Sequence, residues 1–266
     1  LRQGLKLKES FEREKWLKWQ SKICKRLAES DSLSPERAYQ IASEEFPRAR
    51  VTLFAGMKRS GNHAIINWVV QNNFESLVYA NNIVGVGPDS WHVYDAEYIL
   101  PRMIDRLLLS VEHCPVSDYS MFDPILIARD PYNWLASWIS HTHFNLENLE
   151  RDIEVYIENL SCDTPVISFN DWFSHRSYRD RIGQQLGIVN TDASINGVTS
   201  FGKGSSFDKK SFDGKAQQMK VLQRWSRMTE NKTYRDAIKN YDTEFRDICR
   251  EYFPDISPDQ ITKLLL

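Results

Sequence analysis

The chain has 266 residues, with 34 Lys+Arg against 36 Asp+Glu for a net charge of −2, and it is 41% hydrophobic and 12% aromatic. A chain of this length suits one ordinary α/β domain, which buries roughly 70–75% of the surface its unfolded form would expose and needs neither disulfides nor a structural metal. The near-neutral balance lacks the strongly basic character of a nucleic-acid binder, no run approaches the ~18 apolar residues of a membrane span, and no short apolar stretch resembles a signal peptide.

Basic charge is concentrated at the start: residues 1–27 carry nine Lys/Arg against three Glu. Trp16, Trp19, Ile23 and Leu27 recur at steps of three and four, which puts them on one helix face opposite the lysines. Packing of that face onto the domain is the plain reading; contact with an anionic surface is the alternative. Ser34 before Pro35 announces a further helix, closed by Pro47, so residues 1–50 are expected to form a helical extension packed on a domain spanning 51–266. Residue 1 is Leu rather than Met, which leaves a removed leader, an anchor or a larger upstream protein open. Cys24, Cys114, Cys162 and Cys249 are scattered, with neither a CxxC pair nor a His at zinc-ligand spacing.

After Pro47 short apolar runs alternate with helical patterns: VTLFAG (51–56), SLVYA (76–80), RLLLSVEH (106–113), PILIARD (124–130) and PVISFND (165–171). Continuous apolar strands between amphipathic helices are what a parallel sheet covered on both faces requires. The expected class is therefore α/β, a P-loop-type, doubly wound, mainly parallel sheet flanked by helices, with helical extensions at both ends. In such sheets ligands lie beyond the carboxyl ends of the strands.

The first run leads straight into GMKRSGNH (56–63) and then a helical pattern, which is GxxxxG at a strand-to-helix turn. Such a turn aims successive N–H groups into one concavity at the positive end of a helix, a place for a phosphate. Asn62 and His63 stand where the Lys and Ser/Thr of a nucleoside triphosphatase would grip phosphates and Mg²⁺, so an ATP–Mg²⁺ engine is disfavoured. Arg59, Ser60, Gly61, Asn62 and His63 offer charge, hydroxyl, backbone and side-chain donors to a phosphate. Where the fourth run ends, Asp130 and Pro131 start a helix; Arg129 then emerges at the ligand edge, with Ser137 eight residues on, able to share an anion with it. The glycine-rich stretch 196–214 reads as a long functional or disordered loop, and helical patterns run from Lys215 to Pro254, followed by a last short helix.

Together these segments resemble the sulfotransferases that use 3′-phosphoadenosine 5′-phosphosulfate (PAPS), from Val51 to about Phe253. RSGNH (59–63) looks like the family's 5′-phosphosulfate loop, ARDPYNWLAS (128–137) its 3′-phosphate motif, SVEHCP (110–115) the strand end carrying its general base, SFNDWF with RIGQQLGI a segment written YEDL…FLG, and FGKGSS (201–206) the loop written RKGxxG. Departures are plain: the loop threonines are Asn62 and His63, the adenine-stacking tryptophan is Ala64, and the arginine of RKG is Gly202, leaving Lys203 and Gly204.

The resemblance implies an enzyme that moves a sulfuryl group from PAPS, without a metal, to a hydroxyl or amine of a small molecule or glycan. Arg59, assisted by Lys58 or Lys203, is the implied cation at the departing phosphate. Either His113 or Glu112 is the base; neighbours on a strand face opposite ways, so one of the two reaches the site, and His113 is favoured. Donor contacts are expected from Arg59, Ser60, Gly61, Asn62, His63, Arg129, Ser137, Lys203 and Gly204. Residues 81–99, with Trp91, His92, Tyr94 and Tyr98, suit a polar acceptor, and the spacing of His141 and His143 lacks accompanying metal ligands. A cytoplasmic location is expected, the Golgi lumen being the alternative. The rival functions are a P-loop kinase-like transferase and a silent binding module with the same fold.

Overall fold

The computed structural model describes residues 40, 44, 47, 49–73, 77–80, 91–94, 105–112, 114–141, 144–189, 192, 195–198, 208 and 211–265. The extension expected over 1–50 therefore lies almost wholly outside the described residues, as do His113, His143, Lys203 and Gly204. In chain order the main elements are β1 (Arg50–Gly56), α1 (Asn62–Gln71), β2 (Leu77–Ala80), β3 (Trp91–Tyr94), β4 (Arg106–Glu112), β5 (Ile125–Ala128), α2 (Pro131–Ile139), α3 (Leu149–Ser161), β6 (Val166–Ser168), α4 (Phe169–Ser174), α5 (Arg176–Leu186), α6 (Lys232–Asn240), α7 (Asp242–Tyr252) and α8 (Pro258–Leu265). The class is the expected one: α/β, with mainly parallel strands flanked by helices. All five apolar runs contain strands, four of them within two residues of the expected span; the fifth, expected over 165–171, is strand only at Val166–Ser168, because Ser168 caps a helix that begins at Phe169.

The chain divides into two compact units. The first comprises Leu1–Ala55, Asn73–Glu112 and Ser117–Ile125. Its strands lie in the hydrogen-bonded order β3-β2-β4-β1. β2 and β4 are parallel, with Leu77 opposite Arg106 and Ala80 opposite Leu109. β3 is antiparallel to β2. Burial accounts for the unbroken apolar runs: Leu53, Phe54, Leu107, Leu108 and Leu109 are all sealed from solvent. Tyr79 and Ser110 satisfy each other's hydroxyls at 3.1 Å. β3 falls within the stretch read from sequence as an acceptor-facing region.

The second unit comprises Gly56–Asn72, His113–Val116 and Leu126–Leu266. β5 and β6 pair in parallel, Leu126 opposite Val166 and Ala128 opposite Ser168. α2 is buried from Pro131 through Trp138. It starts where the sequence announced it: Asp130 Oδ1 accepts from Asn133 N at 2.9 Å, with Pro131 in the first turn, a cap worth about 1 kcal/mol. α3 backs it through Trp134 stacked on Tyr156, ring centroids 4.3 Å apart.

Two expected helices differ. The pattern over 215–228 folds as short 3₁₀ segments, Ala216–Gln218 and Val221–Arg227, the second kinked at Gln223. There the Asn133 side chain accepts from Arg224 N at 2.6 Å and from Trp225 N at 3.3 Å, tertiary bonds that draw these donors away from a regular helical ladder. The later pattern is two helices, broken at Tyr241, which leaves the helical backbone region and stacks on Phe245.

Candidate anion-binding site

The loop between β1 and α1 owes its shape to its two glycines. A Cβ on Gly56 would meet the Ile127 carbonyl oxygen at 2.7 Å. One on Gly61 would meet the Phe169 ring at 2.1 Å, and Gly61 has φ +95°, a conformation that side chains other than glycine's rarely allow. Arg59 also has positive φ, 74°. That conformation is uncommon for a residue with a side chain and gathers at ligand clamps. Two loop carbonyls are taken up internally: Met57 O accepts from Ser60 N at 3.1 Å, and Lys58 O from Trp134 Nε1 at 2.9 Å. Ser60 is 1% exposed. Its hydroxyl has no hydrogen-bond partner among the described residues, a state costing about 1–3 kcal/mol unless a ligand or water answers it.

Phe169 links this loop to the second part of the site: it abuts Gly61 and also carries the Arg129 guanidinium over its ring, 5.2 Å from the centroid. Arg129 is 2% exposed. Its Nη1 donates to Ser137 Oγ at 2.9 Å and its Nη2 to the Val221 carbonyl, while Nε has no partner among the described residues. Burial pulls its pKa down to about 10, against the opposing influence of Asp130 and Tyr156, so it stays protonated at neutral pH.

Sequence reasoning missed a third member. Arg224, in the kinked 3₁₀ segment and 7% exposed, donates from Nη1 to the same Ser137 Oγ at 2.9 Å. Burial pushes its pKa well down, and the charge of Arg129 pushes it further, with Arg59 and Arg227 adding to the effect and Asp208 opposing it. A hydroxyl has two lone pairs and one proton. Both lone pairs of Ser137 face guanidinium donors, and its proton has no acceptor among the described residues. Two buried cations thus converge on one hydroxyl that still has a proton to give, an arrangement chemically suited to a multiply charged oxyanion.

The sequence-derived residues are distributed as follows. Lys58, Arg59, Ser60 and Gly61 form the loop, Asn62 and His63 open α1, and Arg129 and Ser137 are directly bonded. Asn62 Nδ2 is turned back toward Met57 O at 3.4 Å, within the loop. The charge of Lys58 is felt by the buried Asp152, whose carboxyl is raised by burial and partly lowered again by Arg151 and Lys58. Glu112 ends β4 half-buried in the first unit. Asp171, His175 and Asp255 bring one potential metal-ligand atom each to within 4.8 Å of one another, a grouping common among surface carboxylates. No helix among the described residues is long and apolar enough to cross a membrane.

No protein-family model matches the chain, and no curated protein matches it. Among solved structures, it is similar to a mouse sulfotransferase, SULT7A1, complexed with PAP: 11% identical, with a TM-score of 0.43 over 84% of this chain and 92% of the mouse one.

Proposed function

We propose that the chain is a transferase that binds PAPS and passes its sulfuryl group to a hydroxyl or amine acceptor, possible acceptors including glycans. The observation that carries this reading is the pair of buried guanidiniums, Arg129 and Arg224, sharing the Ser137 hydroxyl. In an apolar setting two such cations repel and are desolvated, and a phosphate with charge near −2 and three acceptor oxygens relieves both penalties. The sequence motifs that surround the pair add the second half of the argument. Arg129, Arg224 and Ser137 would hold the 3′-phosphate, and the loop from Lys58 to His63 the 5′-phosphosulfate.

When bound, the donor supplies an activated sulfuryl group: the acceptor oxygen or nitrogen forms a bond to sulfur as the bond from sulfur to the 5′-phosphate oxygen breaks. The chain's residues have three tasks in that step. Arg59, with Lys58 or Lys203, meets the negative charge that gathers on the departing phosphate oxygen. The Ser60 hydroxyl donates to the same phosphate. Glu112 or His113 accepts the proton that the acceptor loses.

Calorimetric titration tests the reading. Adenosine 3′,5′-bisphosphate is expected to bind in the presence of a chelator, and Ser137→Ala and Arg129→Ala to weaken it by about ten- to hundredfold, the worth of charge-assisted hydrogen bonds. Tight ATP–Mg²⁺ binding with none of the bisphosphate would instead favour a kinase-like transferase. Turnover of labelled PAPS with an acceptor panel, lost in Arg59→Ala, separates an enzyme from a silent binding module.

A further inference from the structure

Two side chains on one face of α2 meet Arg224 at different places. Ser137 accepts from its guanidinium, and Asn133, one turn earlier, holds its backbone. Asn133 is fully buried. Its Oδ1 accepts from Arg224 N at 2.6 Å and from Trp225 N at 3.3 Å, and its Nδ2 donates to the Leu222 carbonyl at 3.0 Å. The same Nδ2 lies 3.1 and 3.0 Å from the two oxygens of Asp130. Those oxygens also accept from Asn133 N and Asn170 Nδ2, each at 2.9 Å. A carboxylate and a carbonyl can only accept, so the amide edge facing them is the NH₂, which leaves the amide oxygen to the two backbone N–H groups. Asn133 thus grips the main chain of Leu222, Arg224 and Trp225 at once.

We propose that Asn133 is a positioning residue of the anion site: oriented by Asp130, it fixes the backbone of residues 222–225 so that Arg224 stands against Ser137 before any anion arrives. The proposal rests on the reading of Arg129, Ser137 and Arg224 as a phosphate site. The need for such a hold follows from charge. Burial and the neighbouring Arg129 both disfavour the Arg224 cation, with Asp208 opposing them, so desolvation and repulsion pull the side chain toward water while the site is empty. Bonds from Asn133 to the main chain are independent of that charge and act with or without an anion. They also replace rigidity that the segment lacks, since Val221–Arg227 is a short 3₁₀ stretch kinked at Gln223. A donor held in place beforehand binds its ligand with a smaller ordering cost. Asn133 therefore acts on affinity through Arg224, without touching the ligand.

The test is a double-substitution cycle on the full chain, titrated with adenosine 3′,5′-bisphosphate. Asn133→Ala alone is expected to weaken binding by about three- to tenfold, the size of a coupling within one hydrogen-bond network. In an Arg224→Met background the same substitution is expected to change affinity by less than about twofold, because the group it positions is gone. A lower melting temperature is expected in both backgrounds, and a merely structural role would give that alone. Unchanged affinity for Asn133→Ala, or an equal loss in both backgrounds, overturns the proposal. Where Asn133→Ala does not fold or Arg224→Met no longer binds, amide exchange of the unaltered chain, followed by NMR, decides. The Arg224 and Trp225 N–H groups are expected to exchange slowly already without ligand, and exchange that is rapid until bisphosphate is added overturns the proposal. If Arg129→Ala and Arg224→Met weaken binding while Asn133→Ala does not, the phosphate site stands and the positioning role falls. Absence of bisphosphate binding in the parent removes both.

Discussion

Two buried arginine sites in the second unit share a chemistry and differ in completeness. Arg179 gives Nε and Nη2 to Asp192, and Nη1 to the carbonyls of Trp172 and Phe173 at 2.6 and 3.5 Å. That is a cation each of whose three nitrogens meets a protein acceptor, fastening α5 to the residues before and after it. Arg129 and Arg224 converge on one neutral hydroxyl, with Arg129 Nε unanswered among the described residues. The difference separates a staple from a socket. A staple is finished when the chain folds, whereas the socket keeps Arg129 Nε and the Ser137 Oγ proton unanswered among the described residues, donors suited to an anionic ligand.

The comparison breaks most visibly if each arginine is removed. Arg179→Ala takes from half-buried Asp192 its two-pronged partner and from the Trp172 carbonyl its donor, and a loss of about 2–3 kcal/mol in urea unfolding is expected, with no rescue by phosphate or nucleotide. Arg224→Met removes a cation from beside another cation. Its unfolding free energy is expected to stay within about 1 kcal/mol of the parent or to rise, while bisphosphate affinity drops by about tenfold or more. Equal destabilisation by the two substitutions would mean that both are staples, and the socket reading would go.

What the sequence made legible follows the same division. Local signals worked: the strand before GMKRSGNH, the Asp130–Pro131 start of α2, and the Arg129–Ser137 spacing all depend on neighbours within two helical turns, and each is observed. Arg224 was out of reach because it meets Ser137 from 87 residues away, in a stretch whose helical pattern is overridden by tertiary bonds from Asn133. A basic residue in a polar stretch reads as surface until the fold buries it. β3 was missed for a related reason: WHVY is a four-residue antiparallel strand whose partner, β2, lies across a run of glycine and asparagine, with no alternation long enough to mark it.

A smaller effect sharpens the comparison through pH. Because burial holds the Arg129 pKa down at about 10, the folded state gives up this proton at a lower pH than the unfolded chain does. Above about pH 10 the unfolded state then binds more protons, so this group's contribution to stability rises with pH, from a penalty present at neutral pH towards none. Urea unfolding of the parent and of Arg129→Met between about pH 8 and pH 11 is expected to show the parent gaining on the variant as the pH passes about 10. Bisphosphate affinity should fall over the same interval. A difference between the two proteins that stays flat would place Arg129 among the satisfied cations with Arg179.

The finest distinction concerns a single oxygen. Ser60 Oγ is buried and unpartnered among the described residues, so in the free protein it is a cost, and in the complex it would be a donor to the phosphate. Ser60→Ala is therefore expected to leave stability unchanged or raise it by up to about 1 kcal/mol, and to lower bisphosphate affinity by about tenfold, one hydrogen bond to a charged group. The opposite pair of results, a destabilised protein with unaltered affinity, would show that the hydroxyl is bonded within the fold, and the loop would then belong with the staples. Both readouts are needed, because a side chain that serves a ligand and one that serves the fold differ only in which of the two its removal disturbs.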